Sequence, residues 1–158
     1  MTKRKIFKTA IIIAIAGIVI AGAVGYYMFN MPHRDVQSTK SDFSLTASAV
    51  VAEYLTDKDA ANQKYLASNG ESKILEVTGE VKKISEDFNG RMVVLLKGAD
   101  DKAGVSATFT AETSAHAEKL QVGQSATIKG IIRSGAAFDS DLELYENVIL
   151  EKSDLVTK

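Results

Sequence analysis

The chain has 158 residues, 46% of them hydrophobic and 25% charged, with one proline and no cysteine. That length allows one modest domain beside a targeting segment. The missing cysteine excludes a disulfide framework, a thiolate zinc site, a thiol nucleophile and a lipid anchor on cysteine. The net charge of −1 averages two unlike parts: residues 1–29 carry +4, from Lys3, Arg4, Lys5 and Lys8, and residues 30–158 carry −5.

Residues 1–8 read as a basic cytoplasmic tail. Thr9 to Phe29 are 21 consecutive residues without a charge. A helix of that length matches a hydrocarbon core of roughly 30 Å and satisfies its own backbone groups inside it. The basic cluster precedes the span, so the positive-inside tendency puts the N-terminus in the cytoplasm and the rest of the chain across the inner membrane, in the periplasm. Tyr26 and Tyr27 fall near the outer end, where aromatic rings favour the interface. The competing reading is a cleaved signal peptide, with Ala21-Gly22-Ala23 as the small-x-small site. The apolar run continues past that site to Phe29, which favours an uncleaved anchor. Ala10, Ala14, Gly17, Ala21 and Gly25 make a small-residue stripe, a common composition in membrane helices that also permits close helix contact.

Residues 30–43 hold the only proline, Pro32, and no sustained apolar period. They read as a polar tether. Residues 44–70 read as a helical lead-in. Thr46 is an N-cap candidate, Ala49, Val50, Tyr54 and Leu55 recur at helical spacing, Asp57 can cap a second stretch, and Asn69-Gly70 is a stop signal.

Residues 71–153 read as five strands. Ile74 to Ile84 alternates Leu75, Val77, Gly79 and Val81 against Thr78, Glu80 and Lys82, with Gly79 marking a bend or bulge. Asn89-Gly90 is a hairpin signal before a strand over Arg91 to Lys97. Val105, Ala107 and Phe109 alternate in a third strand. Glu112 to Leu120 is a short helical or turn insert. Ala126, Ile128, Gly130 and Ile132 alternate in a fourth strand, Ser134 to Ser140 forms a loop, and Leu142 to Glu151 is the fifth strand. The expectation is a mainly β chain with N-terminal helices: a five-stranded OB-fold barrel preceded by a helical lead-in and one transmembrane helix. A domain of this size buries a limited core, so the helices should cover one side or opening of the barrel.

The chain resembles the bacterial tRNA_anti-like OB-fold family, small exported or membrane-anchored proteins common in the Bacteroidetes. The resemblance is carried by Ala61-Asn62-Gln63-Lys64-Tyr65, Val77-Thr78-Gly79-Glu80-Val81, Gly104 to Phe109, Val122-Gly123-Gln124 running into Ile128-Lys129-Gly130, and Asp141 to Leu144. Members often carry cysteines where this chain has Ala107, Ile132 and Asn147, so a disulfide or metal role in such relatives does not carry over. A fold shared with nucleic-acid binders is not in itself a function.

No catalytic, cofactor or metal motif is present. His33 and His116 lie far apart without metal-ligand spacing. Asp100-Asp101 and Asp139-Ser140-Asp141 are acid clusters without a calcium-loop pattern. No phosphate loop, nucleophile elbow or dinucleotide fingerprint occurs. The expected activity is therefore binding without catalysis. In an OB barrel, ligands cross the second and third strands between the loops after strands one and four. The candidate face is Phe88, Arg91, Val93, Leu95, Thr108, Lys129, Ile131, Arg133 and Phe138. Phe88 and Phe138, on those loops, either stack on a ligand or close the barrel ends. Few cations, no tryptophan and the −5 charge disfavour nucleic acid. The expected partners are the inner membrane, through residues 9–29, and a protein, peptide or envelope glycan. The alternatives are an oligonucleotide-binding protein and a structural subunit of a cell-envelope complex.

Overall fold

The computed structural model describes residues 3–30 and 35–157. Pro32, His33 and Arg34 of the expected tether lie outside the described residues. The chain divides into two compact units, residues 1–34 and 35–158.

The first unit contains helix α1, Lys3–Phe29. Within it, Ile11–Phe29 has a mean hydropathy of 2.3 and is long and apolar enough to cross a membrane. A signal sequence near an N-terminus has the same two properties.

The second unit begins with strand β1 (Phe43–Thr46), helix α2 (Ala47–Thr56) and helix α3 (Lys58–Tyr65). Both helices start where the capping chemistry predicts. The Thr46 hydroxyl accepts from Ala49 N at 3.2 Å, and the Asp57 carboxylate accepts from Ala60 N at 3.0 Å. Each cap satisfies an amide that the helix itself leaves without a partner. Next come strands β2 (Ile74–Glu86), β3 (Met92–Leu96) and β4 (Val105–Phe109), helix α4 (Ser114–Ala117) and strand β5 (Ser125–Ser134). The short strands β6 (Ala137–Asp139) and β7 (Leu144–Glu146) lead into the last strand, β8 (Val148–Leu155).

Strand β2 serves two neighbours. Its first half, Ile74 to Glu80, pairs antiparallel with β5, and its second half, Val81 to Glu86, pairs antiparallel with β3. The ladder then runs from β3 to β4, from β4 in parallel to β8, and from β8 antiparallel back to β5. The result is a closed five-stranded mixed barrel, with α4 between its third and fourth strands. Alternation in the sequence accounts for the interior: Val77, Val81, Val94, Leu96, Val105, Ala107, Phe109, Ile128, Ile132, Val148 and Leu150 are buried. On α2, Ala47, Val50, Val51 and Tyr54 are buried against this core. Gly79 lets the first turn of α2 approach: a Cβ there would stand 3.0 Å from Ala47 Cβ and 3.1 Å from Leu96 Cβ.

Two segments differ from the sequence-based expectation. The expected tether is docked from Asp35 onward. Val36 is buried, the Gln37 side-chain amide donates to Lys152 O at 2.9 Å, and Asp42 exchanges bonds with the Ile74 backbone. Phe43 to Thr46 then adds β1 in parallel to β2. Polar hydrogen bonds to the barrel backbone hold this stretch, and an apolar period cannot reveal such bonds. The expected fifth strand, Leu142 to Glu151, starts six residues later, at Val148. Leu142 and Leu144 are exposed, while Val148 and Leu150 are buried. The residues before Val148 form the β6–β7 hairpin instead of a plain loop and strand.

Candidate functional site

The outer face of β3 and β4 is uncharged. Val93 stands opposite Thr108 and Leu95 opposite Ser106, all four half-buried. On the next strand, Ser85 faces Val93 and Lys83 faces Leu95. These side chains point outward because their neighbours Val94, Leu96, Val105 and Ala107 fill the barrel.

The β2–β3 turn places Phe88 at its tip, with a relative exposure of 111%. Asp87 holds that turn. Its carboxylate accepts from Asn89 N at 2.8 Å, Arg91 N at 2.9 Å and Arg91 Nε at 2.9 Å. The Arg91 backbone bond is the largest of the influences that keep the Asp87 carboxyl below the ordinary carboxylate range. Gly90 supplies the left-handed conformation, at φ +74°. Arg91 Nη2 also lies 2.8 Å from Asp87 Oδ2, so its charge is committed within the turn.

Lys129, Ile131 and Arg133 lie on β5, which pairs with β2 and β8 and not with β3 or β4. They are therefore set apart from the Val93–Thr108 surface. Lys129 Nζ donates to the Gln37 carbonyl at 3.0 Å, which ties it to the docked segment. Ile131 is opposite the buried Ile74 on one side and Glu151 on the other. Arg133 Nε lies 4.0 Å from Glu151 Oε2 at an exposed site.

Phe138 belongs to neither group. It sits on β6, opposite Tyr145 of β7, with ring centroids 4.9 Å apart and planes tilted at 50°. It is 54% exposed. Phe88 and Phe138 are thus both outside the barrel core. Phe138 and Tyr145 form one wall of a cleft of about 370 Å3, closed by Tyr54, Leu55, Lys58 and Lys102. Sequence reasoning missed Tyr145 and the two lysines. The available signal was the Asp139 to Glu143 turn, which folds Tyr145 back onto Phe138. The lysines are brought in by α3 and by the β3–β4 loop, from distant positions in the chain.

Three of the other groups singled out by sequence have structural partners. His116 Nδ1 is 2.7 Å from Asp154 Oδ1 on β8. Asp101 Oδ2 accepts from Gly98 N at 2.9 Å and Ser48 Oγ at 2.6 Å. Asp139 Oδ1 accepts from Asp141 N and Leu142 N, closing its own turn. Among the described residues no three His, Asp or Glu side chains form a group that could hold a metal ion.

A closed barrel of this order, with a helix between its third and fourth strands, is an OB-fold. The chain belongs to the tRNA_anti-like family, whose profile matches residues 1–141. Among solved structures it is similar to a Klebsiella pneumoniae subsp. pneumoniae MGH 78578 protein named a "putative nucleic acid-binding lipoprotein". The two are 21% identical, with a TM-score of 0.54, and the match covers 80% of this chain and 100% of that one. At that identity the likeness establishes the shared fold. No curated protein gives a significant match.

Proposed function

We propose that this protein is a membrane-anchored OB-fold module that binds a protein, peptide or glycan partner outside the cytoplasm, without catalysing a reaction. The observation that carries this reading is the pairing of an uncharged face, Val93, Leu95, Ser106 and Thr108, with a fully exposed phenylalanine on a rigid turn. A large apolar side chain held in water by a fixed loop is a ready anchor for a partner. In this reading residues 9–29 cross the inner membrane, residues 1–8 remain in the cytoplasm, and the barrel lies in the periplasm. The +4 charge before the span and the charge-free 21 residues support that orientation.

A photo-crosslinking residue placed at Phe88 in the full-length protein, in its own cells, tests the reading. A discrete adduct that disappears with Val93→Asp would support it. Adducts insensitive to that change would sink it. Cysteine labelling from either side of the membrane, on a Ser140→Cys variant, tests the orientation.

The name of the Klebsiella protein favours a second reading, in which this chain binds a single-stranded nucleic acid. Against it stand the commitment of Arg91 and Lys129 to other groups and the absence of aromatic residues on the β3–β4 face. Anisotropy of labelled single strands across a salt series separates the two. Strong binding at low salt that falls steeply with added salt would replace the first reading with the second.

A further inference from the structure

The cleft between α2, the β3–β4 loop and the β6–β7 hairpin lies apart from the face discussed above, and its chemistry is different. Its walls are the rings of Phe138 and Tyr145 with Leu55, and Lys58 and Lys102 are also among its lining residues. Lys102 Nζ stands 5.5 Å from the centre of the Tyr145 ring, so charge and ring face adjoin. Neither lysine has an ion pair among the described residues. Of the acids adjacent in sequence, Asp57 caps α3 through Ala60 N, and Asp101 accepts from Gly98 N and Ser48 Oγ. Tyr54 also lines the cleft and is only 2% exposed, and its hydroxyl has no hydrogen-bond partner among the described residues. At about 370 Å3 the cleft falls at the small end of ordinary ligand pockets, which run from about 300 to 1,000 Å3.

We infer that this cleft binds a ring-shaped unit bearing one anionic group, with the ring against Phe138 and Tyr145 and the anion between Lys58 and Lys102. Flat apolar faces beside unpaired cations select for a ring and a charge together. The −5 charge of residues 30–158 repels a long polyanion, so the site suits an isolated anion better than a continuous phosphate backbone. Two sources share this chemistry: an acidic sugar of an envelope glycan and a nucleoside monophosphate.

Calorimetric titration of the full-length protein in detergent micelles with matched probes tests the inference. The pairs are methyl glucuronide against methyl glucoside, and adenosine monophosphate against adenosine. The expected result is saturable binding of one charged probe, with its neutral counterpart about tenfold weaker or worse. The charged probe that binds names the source. Lys58→Ala and Lys102→Ala should each weaken it about tenfold, Lys102→Arg should retain it, and Lys119→Ala, which removes an exposed cation outside the cleft lining, should leave it unchanged. Circular dichroism of each variant confirms that the barrel is intact. Failure of both charged probes to bind, equal binding of a neutral counterpart, or wild-type affinity in both alanine variants overturns the proposal. None of these outcomes bears on the Phe88 crosslinking result, so this site and the β3–β4 face stand or fall separately.

Discussion

The Tyr54 ring on α2 lies directly against the backbone of Gly135, so closely that a Cβ at position 135 would overlap it. This contact joins the helical lead-in to the loop between β5 and β6, where the chain leaves the barrel to form the cleft hairpin. Gly135 is needed here for the space, since it has no left-handed backbone conformation.

Gly135→Ala should therefore push Tyr54 off its seat and cost about 1–3 kcal/mol, the usual range for overpacking a core. Chemical denaturation measures the loss. Gly70→Ala, at an open site with a φ of +81°, is a useful contrast, because any cost there comes from backbone conformation alone. If Gly135→Ala were neutral, the helix would not be seated as described.

Tyr54→Phe should have the opposite effect. The buried hydroxyl has no partner among the described residues, so its removal should leave stability unchanged or raise it by up to about 1 kcal/mol. The variant also has an alkaline signature. Burial, with smaller contributions from Tyr65 and Glu53, pushes the Tyr54 phenol up from 10.0 to about 12. An unfolded chain ionises this group first, so the group leaves stability independent of pH below pH 10 and lowers it as pH rises toward 12. Tyr54→Phe should move alkaline unfolding to higher pH. Burial also raises Tyr65, so part of the alkaline loss should remain in the variant. An alkaline midpoint identical to that of the wild type would contradict the burial of the hydroxyl.

The barrel was legible where burial is strictly alternate. Strands β2, β4 and β5 could be placed from their apolar period, and β3 from the continuous apolar run that follows the Asn89-Gly90 turn. The fifth strand was placed over Leu142 to Glu151, and the second half of β8 escaped that reading for a local reason. Lys152 has a positive φ of 51°, and the pairing with β4 shifts register between Ala107 and Phe109. The alternation breaks there, and Glu151, Lys152 and Asp154 make the segment look like a polar tail. The candidate face was half legible. Val93, Leu95 and Thr108 come together as expected, since alternation fixes the side on which they lie. Lys129 and Arg133 do not join them, because which strand neighbours which is a matter of long-range pairing. Local pattern also cannot show that Gln37 takes up the Lys129 ammonium.

The hinge between α2 and α3 should be sensitive to acid. Glu53 accepts from Lys64 Nζ at 2.8 Å and from the Tyr65 hydroxyl at 2.8 Å. The Lys64 bond is the largest influence holding the carboxyl below 4.5, burial opposes it, and the Tyr65 bond adds to it. Because the folded value is depressed, this stabilisation is present above pH 4.5 and is lost as pH falls through the folded value. Glu53 and Lys64 are 40% and 41% exposed, so solvent screening limits the effect to about 1 kcal/mol. Thermal melts of the wild type and Glu53→Gln should differ at neutral pH and converge in acid. A difference that persists in acid would show that the carboxylate charge is not the source.

The seam between β5 and β8 offers a test of packing at a distance from either candidate site. A Cβ on Gly130 would stand 2.6 Å from Ser153 Oγ, 3.1 Å from the Glu151 carbonyl and 3.2 Å from Leu150 Cβ. The Ser153 hydroxyl is buried without a partner among the described residues, at a point where β8 departs from regular pairing with both of its neighbours. Gly130→Ala should cost about 1–3 kcal/mol, since backbone on one side and a fixed side chain on the other leave it nowhere to go. Ser153→Ala alone should be close to neutral, because it removes an unsatisfied polar atom from the core. Together the two substitutions should cost less than their sum by about 1 kcal/mol, since the hydroxyl is the nearest obstacle to the new methyl group. Recovery should be incomplete, because the Glu151 carbonyl and Leu150 remain. Strict additivity in a double-mutant cycle would mean that the two residues do not touch. It would require a different register across the strands that close the barrel.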